Sequence, residues 1–255
     1  MSTLSSNWKA LSSKISSKSD KEKVSKPKRG SQRPKKSPLK LKDETAIATT
    51  KLLSPLEYAL WISERGDKLQ IKPQSAKISV LYNDHRKKSP GKYIAMDCEF
   101  VGVGVDNRSA LARVSIVNFY GVIILDEFVK PSERVTDWRT WVSGVSPKDM
   151  NKAISFEEAQ KRVADLLKDR ILVGHAIHND LKALGLSHAR SATRDTARFS
   201  VFRKQAKTKF PALSKLTSQY LNLQIHSGQH SSVEDAQVTM ALFRSFMPAM
   251  EKECL

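Results

Sequence analysis

The feature that most constrains the fold is the stretch from Tyr93 to Gly102, YIAMDCEFVG, in which an apolar run carries the carboxylates of Asp97 and Glu99. Apolar and β-forming residues on both sides predict a buried strand, and a strand points residues two positions apart to the same face. Asp97 and Glu99 should therefore lie side by side, with Cys98 facing away. Two neighbouring buried anions need a raised pKa or a compensating cation, for which a divalent metal ion is the simplest candidate. Taken alone, the pair also fits two solvated acids at a strand edge.

The net charge of +18 in a chain of 255 residues is unevenly distributed. Residues 1–50 carry 13 Lys or Arg against 4 acids, a net +9, and residues 51–92 carry 9 against 4, a net +5. Residues 93–255 carry 22 against 18, a net +4. The positive charge favours a polyanionic partner such as nucleic acid, and most of it precedes the predicted strand.

The first 52 residues are rich in Ser and Lys and show no sustained apolar period, which predicts a disordered basic tail. Within it, KVSKPKRGSQRPKK from Lys23 to Lys36 is typical of a segment that binds a nuclear import receptor or phosphate groups. A tail that only aids solubility is the alternative. No apolar run is long enough to span a membrane and no hydrophobic signal core is present, so we expect an intracellular protein without a membrane partner.

The remaining chain is predicted to divide into a short helix and linker over residues 53–91 and a compact domain over residues 92–250. The helix has Ser54 as its cap and Pro55 in its first turn. In the domain, two further strands should form a hairpin over residues 109–129, and ILVGH from Ile171 to His175 should form another strand. Helical patterns cover residues 156–167, 179–186, 197–204, 213–221 and 232–247. This order predicts an α/β fold with a mixed sheet of about five strands flanked by helices.

Two more acids and one histidine occupy positions suited to a site. Asp180 follows the strand ILVGH where the chain turns into a helix, a favoured location for active sites in α/β folds. Asp235 lies about one turn into the last predicted helix, and His230 precedes that helix by a short distance. A histidine beside acids can accept a proton from water near neutral pH. Singly, the same residues also fit a helix cap, a half-buried acid and a surface histidine.

The cysteines and the other histidines suggest no further site. Cys98 lies in the predicted core strand and Cys254 at the C-terminus, so we expect no disulfide between them. His175 and His178 are three residues apart but lack evident co-ligands for zinc.

In chain order the acidic residues and the histidine read D-x-E, then D, then H-x-x-x-x-D, a pattern that resembles the DEDDh group of 3′-to-5′ exonucleases with an RNase H-like fold. The amino-acid sequences around these residues are similar as well. The segments AMDCEFVGVG, LARVSIVN, GHAIHNDLKAL, RDTARF and HSSVEDAQVTM resemble the Rex-type RNA exonucleases. The resemblance covers roughly residues 90–248, whereas the tail is similar only in being basic. Trp138 and Trp141 differ from the residues that the family usually has at these positions.

The resemblance implies a role for each matched residue. Asp97, Glu99, Asp180 and Asp235 would hold two divalent metal ions, and His230 would be the general base. Carboxylate oxygens are hard ligands, which suit Mg²⁺ or Mn²⁺ rather than zinc. The product would be a nucleoside 5′-monophosphate released from a free 3′ end.

The resemblance also implies that Phe100, Val101 and Gly102 contact the terminal nucleotide through ring or backbone contacts, although Phe100 fits a core position equally well. Arg113 is expected to pair with an acid, and Asp195 to cap a helix or support the site. The segment RKQAKTK from Arg203 to Lys209 is either a phosphate track or a solvated face.

Three functions fit these observations. The first is an RNA exonuclease that processes precursor ribosomal RNA in the nucleolus, the substrate being implied by the resemblance alone. The second is the same fold acting on DNA, because nothing in the motif separates ribose from deoxyribose. The third is a basic RNA-binding ribosome-assembly factor whose nuclease domain only docks. The presence of all four acids and of His230 favours an enzyme over the third.

Overall fold

The sheet is built around β1, the strand that carries Asp97 and Glu99. A computed structural model of the chain describes Leu56, residues 88–225 and residues 228–254. The strands are β1 (Tyr93–Val103), β2 (Arg108–Asn118), β3 (Ile123–Phe128), β4 (Val135–Asp137), β5 (Ile171–Gly174) and β6 (Thr193–Asp195). The α-helices are α1 (Thr140–Ser143), α2 (Phe156–Leu167), α3 (His178–Ala183), α4 (Ser200–Ala206), α5 (Leu213–Leu221) and α6 (Ser232–Cys254). Short 3₁₀ turns cover Pro147–Asn151 and Arg190–Ala192.

The strands form one mixed sheet in the order β3-β2-β1-β5-β6, with β4 paired to the far end of β1. The pairings β1–β2, β2–β3 and β1–β4 are antiparallel, whereas β1–β5 and β5–β6 are parallel. The predicted α/β class with a mixed sheet and flanking helices is confirmed. Strands β4 and β6 were not predicted individually, because a segment of three residues is too short to show a period of two.

The two faces of β1 contribute to different apolar clusters. Ile94, Met96 and Cys98 pack with buried residues of α2 and α3, whereas Ala95 packs with residues of α4, α5 and α6. Because alternate residues of a strand face the same way, Asp97 and Glu99 extend the Ala95 face toward α6. Helix α6 packs against β1, β2 and β5. The acids of β1 therefore point into the layer between the sheet and the last helix.

The edge of β1 that faces β5 is only partly covered. Strand β5 pairs with β1 over Tyr93–Ala95, and β4 pairs with β1 again at Gly102 and Val103. Within the described residues, neither strand pairs with β1 over the segment 96–101. A register shift in the pairing with β2 between Glu99 and Phe100 further marks this segment. The sheet thus leaves a gap beside the two acids, and their surroundings come from helix ends.

The helices largely match the predicted patterns. Ser155 caps α2 by accepting a hydrogen bond from the Glu158 N–H. Helix α6 continues to Cys254, beyond the predicted end at residue 247, although Pro248 lies inside it. Burial of Met250 and an ion pair between Arg194 and Glu251 stabilise this last part, and a single sequence pattern did not reveal either contact.

Part of the predicted organisation lies outside the described residues. This applies to the basic tail over residues 1–52 and to most of the helix and linker over residues 53–91. Leu56 is helical and contacts the apolar cluster formed by α4, α5 and α6. Among the described helices, none combines the length and apolar character needed to cross a membrane.

Candidate active site

Asp97 and Glu99 lie on the same face of β1. Glu99 is buried and Asp97 is partly exposed. The cross-strand neighbours on β2 are Ser115 opposite Asp97 and Arg113 opposite Glu99. A guanidinium therefore stands next to one of the two acids, as expected for a buried carboxylate on a sheet.

Asp180 lies in the first turn of α3 and reaches the uncovered edge of β1. Its carboxylate accepts hydrogen bonds from the backbone N–H and the thiol of Cys98, both of which oppose the rise of its pKa. The Cys98 side chain packs on the opposite face from the two acids of β1, as predicted, but its contact with Asp180 was not foreseen. The gap between β5 and β4 makes this contact possible, because it leaves the Cys98 N–H accessible to a helix end.

The turn before α3 is tied down by Asp195, at the end of β6. Its Oδ1 atom accepts hydrogen bonds from the Ala176 N–H at 2.9 Å and the Ala197 N–H at 3.0 Å. Ala176 has a φ of 55°, a left-handed conformation that a non-glycine residue adopts only when its surroundings enforce it. Asp195 thus acts as a support for the turn that leads to Asp180, in line with the supporting role considered for it from the sequence.

His230 and Asp235 meet at the start of α6. Asp235 is buried in the first turn, and its Oδ2 lies 3.9 Å from Nδ1 of His230. The His230 N–H donates to the Val142 carbonyl oxygen at 2.7 Å, which anchors the loop before α6 to the end of α1. Trp141, the preceding residue on α1, is 79% exposed. The sequence placed His230 ahead of the helix, but it did not reveal the hydrogen bond between His230 and Val142 of α1.

The charges of neighbouring acids raise the pKa values of Asp97 and Glu99. Burial, followed by the charges of Asp180, Asp235 and Glu99, raises the pKa of Asp97 well above its ordinary value. Burial and the charge of Asp235 raise the pKa of Glu99 to about 8, against the lowering effects of Arg113 and of a hydrogen bond from the Ser232 N–H. Burial raises the pKa of Asp180 to about 7. The acids predicted from three separate segments therefore interact electrostatically as one group.

A buried polar network connects this group to the sheet. The hydroxyls of Ser232, at the start of α6, and Ser115, on β2, lie 2.7 Å apart. The Ser115 hydroxyl also donates to Asp126 at 2.8 Å, and Arg113 donates to both carboxylate oxygens of Asp126, each at 2.8 Å. Burial alone would raise the pKa of Asp126, but these hydrogen bonds hold it below its ordinary value. The pairing of Arg113 with an acid was predicted; the two serines were missed because isolated serines carry no sequence signal.

The residues at this site suit a divalent cation. Atom Oε1 of Glu99 is buried without a hydrogen-bond partner, and a buried carboxylate oxygen in that position is costly unless a cation approaches it. Carboxylate oxygens are the ligands that Mg²⁺ and Mn²⁺ prefer. Over residues 88–225 and 228–254, no three acidic, histidine or cysteine side chains form a ready-made ligand set for an ion. The metal assignment of Asp97, Glu99, Asp180 and Asp235 thus stays a prediction, supported by the donor chemistry.

The predicted substrate contacts at the end of β1 differ in accessibility. Phe100 is partly exposed at the edge of the apolar cluster around α2 and α3. The Val101 side chain is fully buried with Val103, so it cannot touch a nucleotide, and Gly102 is buried close to Asn107. A side-chain contact with a terminal nucleotide is open to Phe100, whereas Val101 and Gly102 could contribute only backbone groups.

Comparison with known proteins identifies the family. A family model described as exonuclease matches residues 94–243, a range that contains all four acids and His230. The chain belongs to this exonuclease family. It is similar to a protein named RNA exonuclease 4 from Debaryomyces hansenii, with 56% identity over 249 residues, covering 95% of this chain and 91% of the relative. Its counterpart of the same name from Candida albicans is 44% identical over 276 residues, covering 99% and 97% of the two chains.

Solved structures agree with this assignment. The exonuclease-family chain is similar to the Pan2 catalytic unit of Neurospora crassa, with a TM-score of 0.57 and 26% identity over 64% of this chain. It is also similar to the Saccharomyces cerevisiae Pan2 pseudoubiquitin hydrolase–RNA exonuclease module in complex with AAGGA RNA, with a TM-score of 0.57 and 27% identity over 67% of this chain. It spans 29% and 31% of those longer chains. The predicted RNase H-like fold and membership of the Rex-type DEDDh exonucleases are confirmed, and the chain is a hydrolytic enzyme.

Proposed function

We propose that the protein removes nucleoside 5′-monophosphates from the 3′ end of RNA by metal-dependent hydrolysis. The observation that carries this proposal is the convergence of Asp97, Glu99 and Asp180 with the His230–Asp235 pair, where burial and the charges of neighbouring acids raise the pKa values of Asp97 and Glu99. Acids whose ionisation is unfavourable without a nearby cation are suited to hold cations beside a phosphodiester. Without the cations, the ionised acids would repel the negatively charged substrate.

Each residue has a distinct role in this proposal. Asp97, Glu99, Asp180 and Asp235 would hold two Mg²⁺ or Mn²⁺ ions, which when bound supply an activated water and stabilise the leaving 3′ oxygen. His230 takes the proton from the attacking water at its ring. Asp235 lies 3.9 Å from Nδ1 of that ring, close enough for its charge to favour the protonated imidazole that results. The Val142 carbonyl holds the backbone of His230, and the contact between Ser232 and Ser115 holds the start of α6.

The choice of RNA is supported by the relatives' names and by charge. Two relatives that match nearly the whole chain are named RNA exonuclease 4, and a structural neighbour was solved with RNA. The net charge of +18 favours a polyanionic substrate. We further propose precursor ribosomal RNA as the natural substrate and the nucleolus as the location. The family resemblance supports both, and the basic segment from Lys23 to Lys36 supports binding of an import receptor.

The decisive test follows a single-stranded RNA labelled at its 5′ end during incubation with the full chain and Mg²⁺. We expect a ladder that shortens from the 3′ end and releases mononucleotides, and that disappears with EDTA and in Asp97→Asn. The matched control is Asp106→Asn, which changes an exposed acid in the turn between β1 and β2 and should leave the ladder intact. An RNA whose 3′ hydroxyl is blocked should resist.

A matched DNA strand separates the alternatives. Faster degradation of the DNA than of the RNA would make the protein a DNA exonuclease. Binding of both strands with degradation of neither, in the presence of Mg²⁺ or Mn²⁺, would make the domain a docking module and would refute the catalytic proposal.

A further inference from the structure

An arginine-lined cavity lies beside the edge strand β6, outside the candidate active site. Its volume is about 820 Å³, and its rim carries Arg190, Arg198 and Arg203. Buried apolar side chains, among them Phe199 and Met250, line it as well. Ligand pockets in proteins typically measure about 300–1,000 Å³, so the cavity is large enough for at least one nucleotide.

The arginines of this cavity lack carboxylate partners. Five other arginines of the domain pair with acids, namely Arg108 with Glu133, Arg113 with Asp126, Arg139 with Asp137, Arg162 with Glu127 and Glu158, and Arg194 with Glu251. Arg170, outside the cavity, donates to backbone carbonyl oxygens. Within the described part of the chain, the side chains of Arg190 and Arg198 make no hydrogen bond or ion pair, and Arg203 donates only to the Lys209 carbonyl oxygen at 3.0 Å.

The acids that line the cavity are engaged elsewhere. Asp195 accepts from the Ala176 and Ala197 N–H groups, and Glu253 accepts from the N–H and the hydroxyl of Ser200. Three guanidinium groups face two carboxylates around one concavity, so the lining keeps a net positive charge that suits an anion. The planar guanidinium can donate two parallel hydrogen bonds to a phosphate, which the ammonium group of a lysine cannot do.

The cavity and the candidate active site share helix α3. His178 and Leu181, three residues apart, face the cavity, whereas Asp180 contacts Cys98 of β1 on the other side of the helix. An α-helix with its side chains is about 10–12 Å wide, and each nucleotide of a stacked strand advances about 3.4 Å along the strand axis. A stacked strand with its 3′ end at the carboxylates would therefore need about three further nucleotides to reach the arginines.

We propose that this cavity binds internal phosphates of the single-stranded RNA whose 3′ end lies at the carboxylates. The inference rests on the proposed function for the identity of the ligand. It also gives a role to Arg203, the first residue of the segment from Arg203 to Lys209, which from the sequence was either a phosphate track or a solvated face. The cavity then favours substrates long enough to pass over α3.

The test compares full-length proteins that differ only in these charges. Arg190→Gln/Arg198→Gln removes two exposed cations that support no other residue. Lys130→Gln/Arg134→Gln, in the loop between β3 and β4, removes two exposed cations that do not line the cavity and is the matched control. Arg190→Lys/Arg198→Lys keeps the charge but loses the guanidinium fork.

The first measurement is fluorescence anisotropy of an RNA of about twelve nucleotides at several salt concentrations in EDTA. Each phosphate contact on a single strand changes the slope of log K against log salt by about 0.7, so the glutamine pair should lower its magnitude by about 1.4 and weaken binding about tenfold or more. The control should match the wild type, and the lysine pair should retain most of the slope but bind less tightly. An unchanged slope in Arg190→Gln/Arg198→Gln would overturn the proposal.

The second measurement is KM with Mg²⁺ for the same RNA and for a trinucleotide. The glutamine pair should raise KM for the long RNA by a factor at least about ten times larger than for the trinucleotide, because the short substrate does not reach the cavity. Equal changes for both substrates would overturn the proposal. If the wild type binds RNA with the arginine-dependent slope but hydrolyses none, the proposed function fails and the cavity proposal stands.

A poly-glutamate chain serves as the competing anion. If the glutamine pair loses binding of poly-glutamate and keeps the binding of RNA, the cavity accepts an acidic peptide, and the assignment to RNA is wrong.

Discussion

Replacing Glu99 by glutamine should stabilise the metal-free protein. The substitution keeps the shape of the side chain and its ability to accept the hydrogen bond from the Ser232 N–H. It removes a buried negative charge that burial and Asp235 disfavour, and Arg113 keeps Asp126 as its partner. A neutral side chain in this position should therefore cost the folded state less than an ionised carboxylate does.

The magnitude follows from the pKa of Glu99, which is raised from 4.5 to about 8. In this pH interval the unfolded chain has lost the proton that the folded chain keeps, so the folded state loses stability as the pH rises from 4.5 toward 8. At a cost of 1.36 kcal/mol for each pKa unit, the penalty at pH 7 is about 3 kcal/mol. Glu99→Gln should recover up to that amount in EDTA and should flatten the pH dependence.

Divalent ions should reverse the order of stability of the wild type and Glu99→Gln. A ligand that binds only the folded state at about a hundred times its dissociation constant adds about 2.7 kcal/mol to the unfolding free energy. Wild type should gain this with Mg²⁺, whereas Glu99→Gln, with one charged ligand fewer, should gain less. The measurement is urea unfolding followed by circular dichroism from about pH 5 to pH 8, with and without Mg²⁺.

The control for this experiment is Glu133→Gln, which changes an exposed acid paired with Arg108 and should alter stability by less than about 1 kcal/mol under all conditions. The reasoning would be refuted if Glu99→Gln were less stable than wild type in EDTA at pH 7. It would also be refuted if the wild type gained stability in EDTA as the pH rose.

Three further predictions concern the supports of the site. His230→Asn should lower kcat by about 10²–10⁴-fold while RNA affinity stays within a factor of about two, and parallel losses of affinity and rate would argue against a general base. Ser232→Ala should cost about 1–3 kcal/mol in urea unfolding because Ser115 loses a buried partner, and its cost should not be additive with that of Ser115→Ala. Asp195→Ala releases the Ala176 N–H, so hydrogen exchange should quicken around Asp180 and kcat should fall more than KM rises; unchanged exchange would contradict this role.

The strongest sequence signals were those with a local physical cause. The apolar run of β1 and the helical pattern of residues 156–167 specify their elements through local periodicity, and both predictions match the structure. The end of α6 was placed too early because Pro248 normally terminates a helix, whereas burial of Met250 sustains this one. Strands β4 and β6 were missed because each has three residues and depends on pairing with β1 or β5 rather than on a pattern of its own.

The candidate site likewise has features that the local sequence predicts and features that depend on tertiary contacts. The order and spacing of Asp97, Glu99, Asp180, His230 and Asp235 were sufficient to indicate the family and the residue types for metal-dependent chemistry. Such residues carry that information because a strand and a helix start determine, within a few positions, which way a side chain points.

Only the tertiary structure decided how the acids are held and what surrounds them. The Cys98–Asp180 contact exists because β5 and β4 leave a gap along β1, and the serine pair exists because α6 begins against β2. The arginine-lined cavity likewise joins residues from α3, β6, α4 and the end of α6. The sequence alone determined the element types and the chemistry of the acids, since these depend on neighbours along the chain. Their burial, their raised pKa values and the partners of each charge depend on contacts between distant segments, which only the fold brings together.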